Sequence, residues 1–109
     1  MKTKLLFVCS RNQWRSPTAE ALFKNHPRYD ARSAGTEIGA RIKVTDCHIG
    51  WADIIFCMER KHADRLRDRF APAMKGKPMV TLRIPDDYNY MDSTLIELLR
   101  AELGAHLQI

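Results

Sequence analysis

Short apolar runs alternate along the chain with segments in which apolar residues recur at helical spacing. Three runs are apolar at nearly every position, which is typical of strands buried on both faces; they cover residues 4–8, 53–58 and 78–83. A fourth strand is predicted at residues 29–36, where YDARSAGT ends in a glycine turn. The helical spacing predicts helices between and after these strands, at residues 16–26, 44–52, 60–70 and 93–107.

Capping signals mark the start of two of these helices. Ser16 is suited to the N-cap of the first helix and Pro17 to its first position, and Asp92 is suited to cap the last helix. Gly104 is expected to interrupt that last helix near its end. The segment 84–92, IPDDYNYMD, is rich in turn residues and is predicted to be a loop.

Strands that alternate with helices predict an α/β fold. In this fold a central, mainly parallel four-stranded sheet lies between two helical layers, in three-layer α/β/α order. A length of 109 residues predicts one domain, over residues 1–109, with one modest core. Ligands of parallel sheets bind beyond the carboxyl ends of the strands. Cys9 follows the first strand at such an end, and the 84–92 loop follows the last strand, so a site is expected there.

Charge and cysteine usage narrow the set of partners. Lys and Arg number 18 against 13 for Asp and Glu, and the resulting charge of +5 favours an anionic partner. A nucleic acid is disfavoured, because the chain has no aromatic platform or basic cluster of the usual kind. The three cysteines lack metal-ligand spacing, so neither a metal nor another cofactor is predicted. The N-terminal apolar run is shorter than a signal peptide or a membrane span requires, so we expect a cytoplasmic protein without a membrane partner.

Cys9 and Arg15 flank five residues at the predicted turn from the first strand into the first helix. A thiolate is a strong nucleophile, and a helix N-terminus and a nearby arginine both favour this form of cysteine. The same groups can hold a tetrahedral oxyanion. The spacing alone is weak support, since roughly 0.3 such matches are expected by chance. The strand-to-helix turn favours an anion cradle with a thiolate at its base over a buried cysteine beside a surface arginine.

Residues 8–20, VCSRNQWRSPTAE, resemble the signature of the low-molecular-weight protein tyrosine phosphatase family, V-C-x-G-N-I-C-R-S-P-x-A-E. Three later segments are similar to the family in the same order: SAGT (33–36), WADIIFCMERKHADRL (51–66) and IPDDY (84–88). The resemblance implies a cysteine-dependent phosphatase that hydrolyses phosphomonoesters, such as phosphotyrosine or a small aryl phosphate, through a phosphocysteine intermediate. Its partner would be a phosphorylated protein or a small phosphomonoester.

The resemblance also implies roles for single residues of the first segment. Cys9 would be the nucleophile, Arg15 would bind the phosphate and the charge of the transition state, and Ser16 would stabilise the thiolate. Asn12 would support the shape of the loop through hydrogen bonds. The phosphate-binding loop would consist of Ser10, Arg11, Asn12, Gln13, Trp14, Arg15 and Ser16.

Asp86 would be the general acid, with Asp87 as the alternative, because Asp87 stands where the family has proline. Three loop residues depart from the family: Arg11 replaces a glycine, Gln13 an apolar residue and Trp14 a second cysteine. Arginine at the glycine position would be strained if the backbone there had a positive φ.

Two further functions stay open at this point. A thiol-linked arsenate reductase occurs on a similar scaffold, and it would need Cys47 and Cys57 as a relay for Cys9. A non-catalytic phosphate-binding module would keep the anion cradle without turnover. The acidic residues of the 84–92 loop argue against such a module.

Overall fold

Four parallel strands form the centre of the computed structural model, which describes residues 1–109. The strands are β1 (Thr3–Cys9), β2 (Tyr29–Gly35), β3 (Ile54–Cys57) and β4 (Met79–Thr81). Their order in the sheet is β2-β1-β3-β4, and every neighbouring pair is parallel. The carboxyl ends of all four strands therefore lie at one edge of the sheet, with Cys9 on a central strand.

Helices cover both faces of this sheet. They are α1 (Arg15–Leu22), α2 (Asp46–Trp51), α3 (Arg60–Arg69), α4 (Ala71–Met74) and α5 (Ser93–Gly104). Leu5 and Phe7 pack in a cluster with residues of α1 and α5, whereas Leu6 and Val8 pack in a second cluster with residues of α2, α3 and α4. Successive side chains of a strand point to opposite faces, so the apolar run of β1 fills both cores. The predicted three-layer α/β/α fold is confirmed.

The first helix differs from its prediction at both ends. Trp14 occupies the N-cap position without a side-chain cap bond, and Ser16 lies inside the first turn. The Ser16 hydroxyl is used elsewhere, 2.9 Å from the sulfur of Cys9. The helix ends at Leu22 rather than at residue 26, because Asn25 has a left-handed φ of 59°, which an α-helix does not contain.

The last helix begins as predicted. Asp92 Oδ1 accepts hydrogen bonds from the backbone N–H groups of Thr94 at 2.8 Å and Leu95 at 3.3 Å, and the helix ends at Gly104 rather than at residue 107. α4 was not predicted, because four residues are too few to show a helical period. None of the five helices has both the length and the apolar character needed to cross a membrane.

Candidate active site

Cys9 is the last residue of β1, and its thiol is surrounded by hydrogen-bonding groups. Its sulfur lies 2.9 Å from Ser16 Oγ, and the backbone N–H of Asn12 donates to it at 3.2 Å. The side-chain amide of Asn12 donates to Ser16 Oγ at 2.8 Å. Because Ser16 Oγ accepts this bond, its own hydrogen is free to donate to the sulfur. Two hydrogen-bond donors thus converge on the Cys9 sulfur.

The carbonyl groups of the loop after Cys9 point away from the sulfur, towards residues 36–41. The carbonyls of Cys9 and Ser10 accept from the N–H groups of Thr36 at 3.0 Å and Glu37 at 2.9 Å. Arg41 binds the next two carbonyls, donating from its backbone N–H to residue 11 at 3.0 Å and from Nε to residue 12 at 3.0 Å. All peptide bonds are trans, so the N–H that follows each carbonyl points the opposite way. The loop therefore presents N–H groups on the side of the sulfur.

Several of these N–H groups have no acceptor within the protein. The backbone N–H groups of Ser10, Arg11 and Gln13 make no backbone hydrogen bond and no hydrogen bond to a side chain. A row of N–H groups that leads into the N-terminus of a helix is a binding site for an anion. The geometry thus supports the phosphate cradle predicted from the sequence.

Gly35 permits the close approach of residues 36–41 to the loop. A Cβ atom at this position would lie 2.7 Å from the carbonyl oxygen of Ser10 and 2.6 Å from Cβ of Ala40. The left-handed residue of the loop is Asn12, with a φ of 56°, and Arg11 is not among the residues with a positive φ. Arg11 therefore meets none of the strain that its place in the family's glycine position suggested. Its side chain reaches outwards and forms an ion pair with Glu37 at 3.1 Å.

Arg15 is the first residue of α1, and its side chain is only 2 % exposed. Its Nη1 donates to the backbone carbonyl of Ile84 at 2.9 Å and lies 3.0 Å from Glu59 Oε2. Its Nε lies 3.6 Å from Asp86 Oδ1. The guanidinium is thus fixed by the segment after β3 and by the 84–92 loop.

Glu59 is a site residue that the sequence did not single out. It lies two residues after the end of β3 and occupies the N-cap of α3. Burial acts to raise the pKa of its carboxyl group, but the hydrogen bond and the charge of the Arg15 guanidinium, followed by the charge of Lys61, outweigh burial and lower the pKa. The signal in the sequence was an acidic residue just beyond a buried strand, at the edge where ligands of parallel sheets bind.

Asp86 and Asp87 differ in their relation to the cradle. A cavity of about 170 Å³ lies over Cys9, and Asp86 is one of its lining residues, whereas Asp87 is not. Asp86 makes the contact with Arg15, and Asp87 makes no ion pair. The cavity is lined by Cys9, Ser10, Arg11, Gln13, Trp14, Arg15, Glu37, Lys61 and Asp86. Asn12 and Ser16 lie outside this lining and contact the sulfur instead.

The other two cysteines lie apart from this cavity. Cys57 is fully buried, which raises the pKa of its thiol to about 12. It packs in the core cluster on the opposite face of the sheet from the cluster that contains Cys9. Cys47 is exposed on α2, and all three cysteines are free thiols.

Comparisons with known proteins identify the family of this chain. The family model for the low molecular weight phosphotyrosine protein phosphatase matches residues 4–49. A curated relative, the low molecular weight protein-tyrosine-phosphatase Wzb of Salmonella typhimurium, is 33% identical over 120 aligned positions, which cover 81% of this chain and 78% of the relative.

Solved structures share the fold at lower identity. Wzb of Vibrio vulnificus, in complex with benzylphosphonate, has a TM-score of 0.75 at 22% identity, covering 96% of this chain and 97% of that chain. Wzb of Escherichia coli K30, in complex with phosphate, has a TM-score of 0.73 at 24% identity, with 96% of each chain covered. The YwlE arginine phosphatase of Geobacillus stearothermophilus has a TM-score of 0.68 at 23% identity, covering 98% of this chain and 99% of that chain. With a curated relative matched over most of both lengths, the chain belongs to the low-molecular-weight protein-tyrosine-phosphatase family.

Proposed function

We propose that this chain hydrolyses phosphomonoesters with Cys9 as the nucleophile, through a phosphocysteine intermediate. The observation that carries the proposal is the convergence of three groups on one cavity. These are a cysteine whose sulfur receives two hydrogen bonds, a buried arginine and the carboxyl group of Asp86. A nucleophile, a cation for the developing charge and a proton donor are the parts that phosphoryl transfer to sulfur requires.

The reaction would run in two steps. In the first, a bond forms between the Cys9 sulfur and phosphorus while the bond from phosphorus to the ester oxygen breaks, and Asp86 donates a proton to the leaving oxygen. In the second, Asp86 takes a proton from water, the water oxygen bonds to phosphorus, and the sulfur leaves as a thiolate. The Ser16 hydroxyl, 2.9 Å from the sulfur, would stabilise the thiolate at the start and at the end of this cycle.

Arg15 would bind the phosphoryl oxygens with its remaining donors. Nη1 is occupied by Glu59 and the carbonyl of Ile84, whereas Nη2 has no partner and Nε has only the 3.6 Å contact with Asp86. A guanidinium that is already held by the protein loses little entropy on binding. The orientation of Arg15 therefore supports a role in binding both the substrate and the transition state.

The relatives suggest the class of substrate. The curated relative is a protein-tyrosine-phosphatase, and the Wzb of V. vulnificus is in complex with benzylphosphonate, which contains an aromatic ring. We propose phosphotyrosine in proteins, or a small aryl phosphate, as the substrate. The exposed side chain of Trp14 at the cavity would stack on the aromatic leaving group.

The free state of all three cysteines supports a reducing compartment such as the cytoplasm.

An arsenate reductase is disfavoured as the alternative. Such a relay would need a second reactive thiolate beside Cys9, and a thiol whose pKa is about 12 is not one at neutral pH. Cys57 also packs in the core cluster on the opposite face of the sheet from the cluster that contains Cys9, which argues further against a relay between the two. A non-catalytic phosphate-binding module is disfavoured too, because it has no use for Asp86 in the cavity lining.

The test is the hydrolysis of p-nitrophenyl phosphate by the wild type and by Cys9→Ser, with Cys47→Ser as the matched control. We expect Cys9→Ser to have no measurable turnover and Cys47→Ser to equal the wild type, since Cys47 is exposed on α2 away from the cavity. Undiminished turnover in Cys9→Ser would overturn the proposal. Measuring kcat/KM on phosphotyrosine and phosphoarginine peptides then tests the substrate class.

A second experiment separates the two aspartates. Asp86→Asn should lower kcat about 10²- to 10⁴-fold, and the loss should be larger for phenyl phosphate, whose leaving group is the more basic, than for p-nitrophenyl phosphate. Asp87→Asn should stay within a few-fold of the wild type. The reverse ranking of the two variants would make Asp87 the general acid.

A further inference from the structure

A buried histidine outside the reaction described above contacts the phosphate cradle. His62 lies in the first turn of α3, and it is fully buried. Its Nε2 atom lies 2.9 Å from Ser10 Oγ. Ser10 is itself 6 % exposed and lines the cavity over Cys9. We propose that the Ser10 hydroxyl donates a hydrogen bond to a phosphoryl oxygen in this cavity, and that His62 is the positioning residue that orients it; this rests on the proposed function.

The hydrogen bonds of His62 determine which of its nitrogens carries the proton. The backbone N–H of Glu59 donates to His62 Nδ1 at 3.0 Å, so Nδ1 carries no hydrogen. A neutral imidazole then has its single hydrogen on Nε2. The Nε2–H group must therefore be the donor to Ser10 Oγ, and the serine oxygen the acceptor.

The hydrogen of the Ser10 hydroxyl has no acceptor in the protein. The one side-chain partner of Ser10 Oγ is His62, and that contact is already accounted for by the Nε2–H group. A buried hydroxyl without an acceptor destabilises the protein. The cavity, which also contains unpaired backbone N–H groups, can hold an anion that accepts from this hydroxyl. An oxyanion bound there would accept from the hydroxyl as well as from the backbone, which adds one donor to the cradle.

Burial, together with nearby cations, keeps His62 neutral. Burial lowers the pKa of His62 to about 3; Arg15, Lys61 and Arg65 act in the same direction, and Glu59 alone opposes them. An imidazolium would also place a hydrogen on Nδ1, against the N–H of Glu59. His62 therefore acts as a fixed donor to Ser10 rather than as a proton carrier.

α2 provides a matched control for the structural part of this role. His48 stands at the same position of its helix, and its Nδ1 accepts from the N–H of Thr45 at 3.0 Å, as His62 Nδ1 does from Glu59. Both helices have the same capping box. His48 lacks the bond to the cradle, so His48→Leu removes a cap alone, whereas His62→Leu removes a cap and the donor to Ser10.

The experiment measures the dissociation constant of inorganic phosphate by titration calorimetry on folded, full-length variants. Ser10→Ala should weaken phosphate binding about tenfold, the effect of one hydrogen bond to a charged group, and Ser10→Thr should restore it. His62→Leu should weaken phosphate binding by a similar factor. His62→Gln keeps a side-chain N–H group and should bind phosphate like the wild type, and so should His48→Leu. In the Ser10→Ala background, His62→Leu should have no further effect, because the two residues act through one hydroxyl.

Two outcomes would overturn the inference. One is wild-type phosphate affinity in Ser10→Ala. The other is a loss through His62→Leu that persists in the Ser10→Ala background, which would mean that His62 acts through the stability of α3. Phosphate binding does not require turnover, so a chain with Ser10-dependent binding but no hydrolysis would overturn the proposed function and leave this inference standing. Active hydrolysis with Ser10-independent binding would do the reverse.

Discussion

The ion pair between Arg15 and Glu59 yields a quantitative prediction about stability. Glu59→Gln removes the carboxylate that lies 3.0 Å from the guanidinium. Arg15 would then keep only the carbonyl of Ile84 and the longer contact with Asp86 at 3.6 Å. A buried charge that loses its partner cannot be resolvated by water, so the folded state should be destabilised.

The size of the effect follows from the geometry of the pair. Two unit charges 3.0 Å apart attract by about 5 kcal/mol at an effective dielectric constant of 20. The desolvation of the two charges opposes this attraction. The Glu59 side chain is also 32% exposed, so water screens part of the attraction. We therefore expect Glu59→Gln to lower the free energy of unfolding by about 2 kcal/mol at pH 7, less than the cost of breaking a fully buried pair.

The same pair predicts how this difference depends on pH. The folded-state pKa of Glu59 lies below its ordinary value of 4.5. A lowered pKa stabilises the folded state above pH 4.5, and that stabilisation is lost as the pH falls through the folded-state value. The wild type and Glu59→Gln should therefore converge in stability as the solution becomes more acidic.

Urea unfolding, followed by circular dichroism at several pH values, measures both effects. Glu97→Gln is the control, because Glu97 is exposed on α5 and makes no ion pair, so this variant should match the wild type throughout. Equal stability of the wild type and Glu59→Gln at pH 7 would refute the reasoning. A deficit of constant size at every pH would show that the amide disturbs packing rather than charge.

Two further predictions concern the glycine behind the cradle and the cysteines outside it. Gly35→Ala should sharply reduce both turnover and phosphate binding, because the added Cβ would lie 2.7 Å from the Ser10 carbonyl oxygen. A Cβ added at Gly39 would have no atom within 4 Å, so Gly39→Ala should match the wild type in both assays. In the native protein, Cys57 should resist alkylation by iodoacetamide at pH 8, since burial raises the pKa of its thiol to about 12, while the exposed Cys47 should react readily. Mass spectrometry of the labelled peptides distinguishes the two cysteines. Early labelling of Cys57 would contradict its burial.

The alternation of apolar runs and helical spacing determined the fold class, because both periods are local properties of the chain. The continuous run at residues 4–8 predicted a strand with two buried faces, and all of its apolar residues are fully buried. The turn that joins Cys9 to Arg15 was predictable for the same reason, since both residues belong to one short segment that runs from a strand into a helix. Local patterns were less reliable at helix ends, as Ser16 shows, because a hydroxyl can be taken by a neighbour other than the backbone.

The tertiary structure decided which chain-distant groups complete the site. The strand order β2-β1-β3-β4 brings the carboxyl ends of all four strands to one edge of the sheet. Arg41 then donates to the carbonyl of Asn12, Glu59 pairs with Arg15, and His62 contacts the Ser10 hydroxyl. No local pattern marks these contacts, because they depend on how the strands are ordered and on which side chains are then buried together. The sequence by itself determined the loop between Cys9 and Arg15 and the helical layers around the sheet. Packing decided which partners orient that loop, because contacts between distant segments exist only once the sheet has assembled.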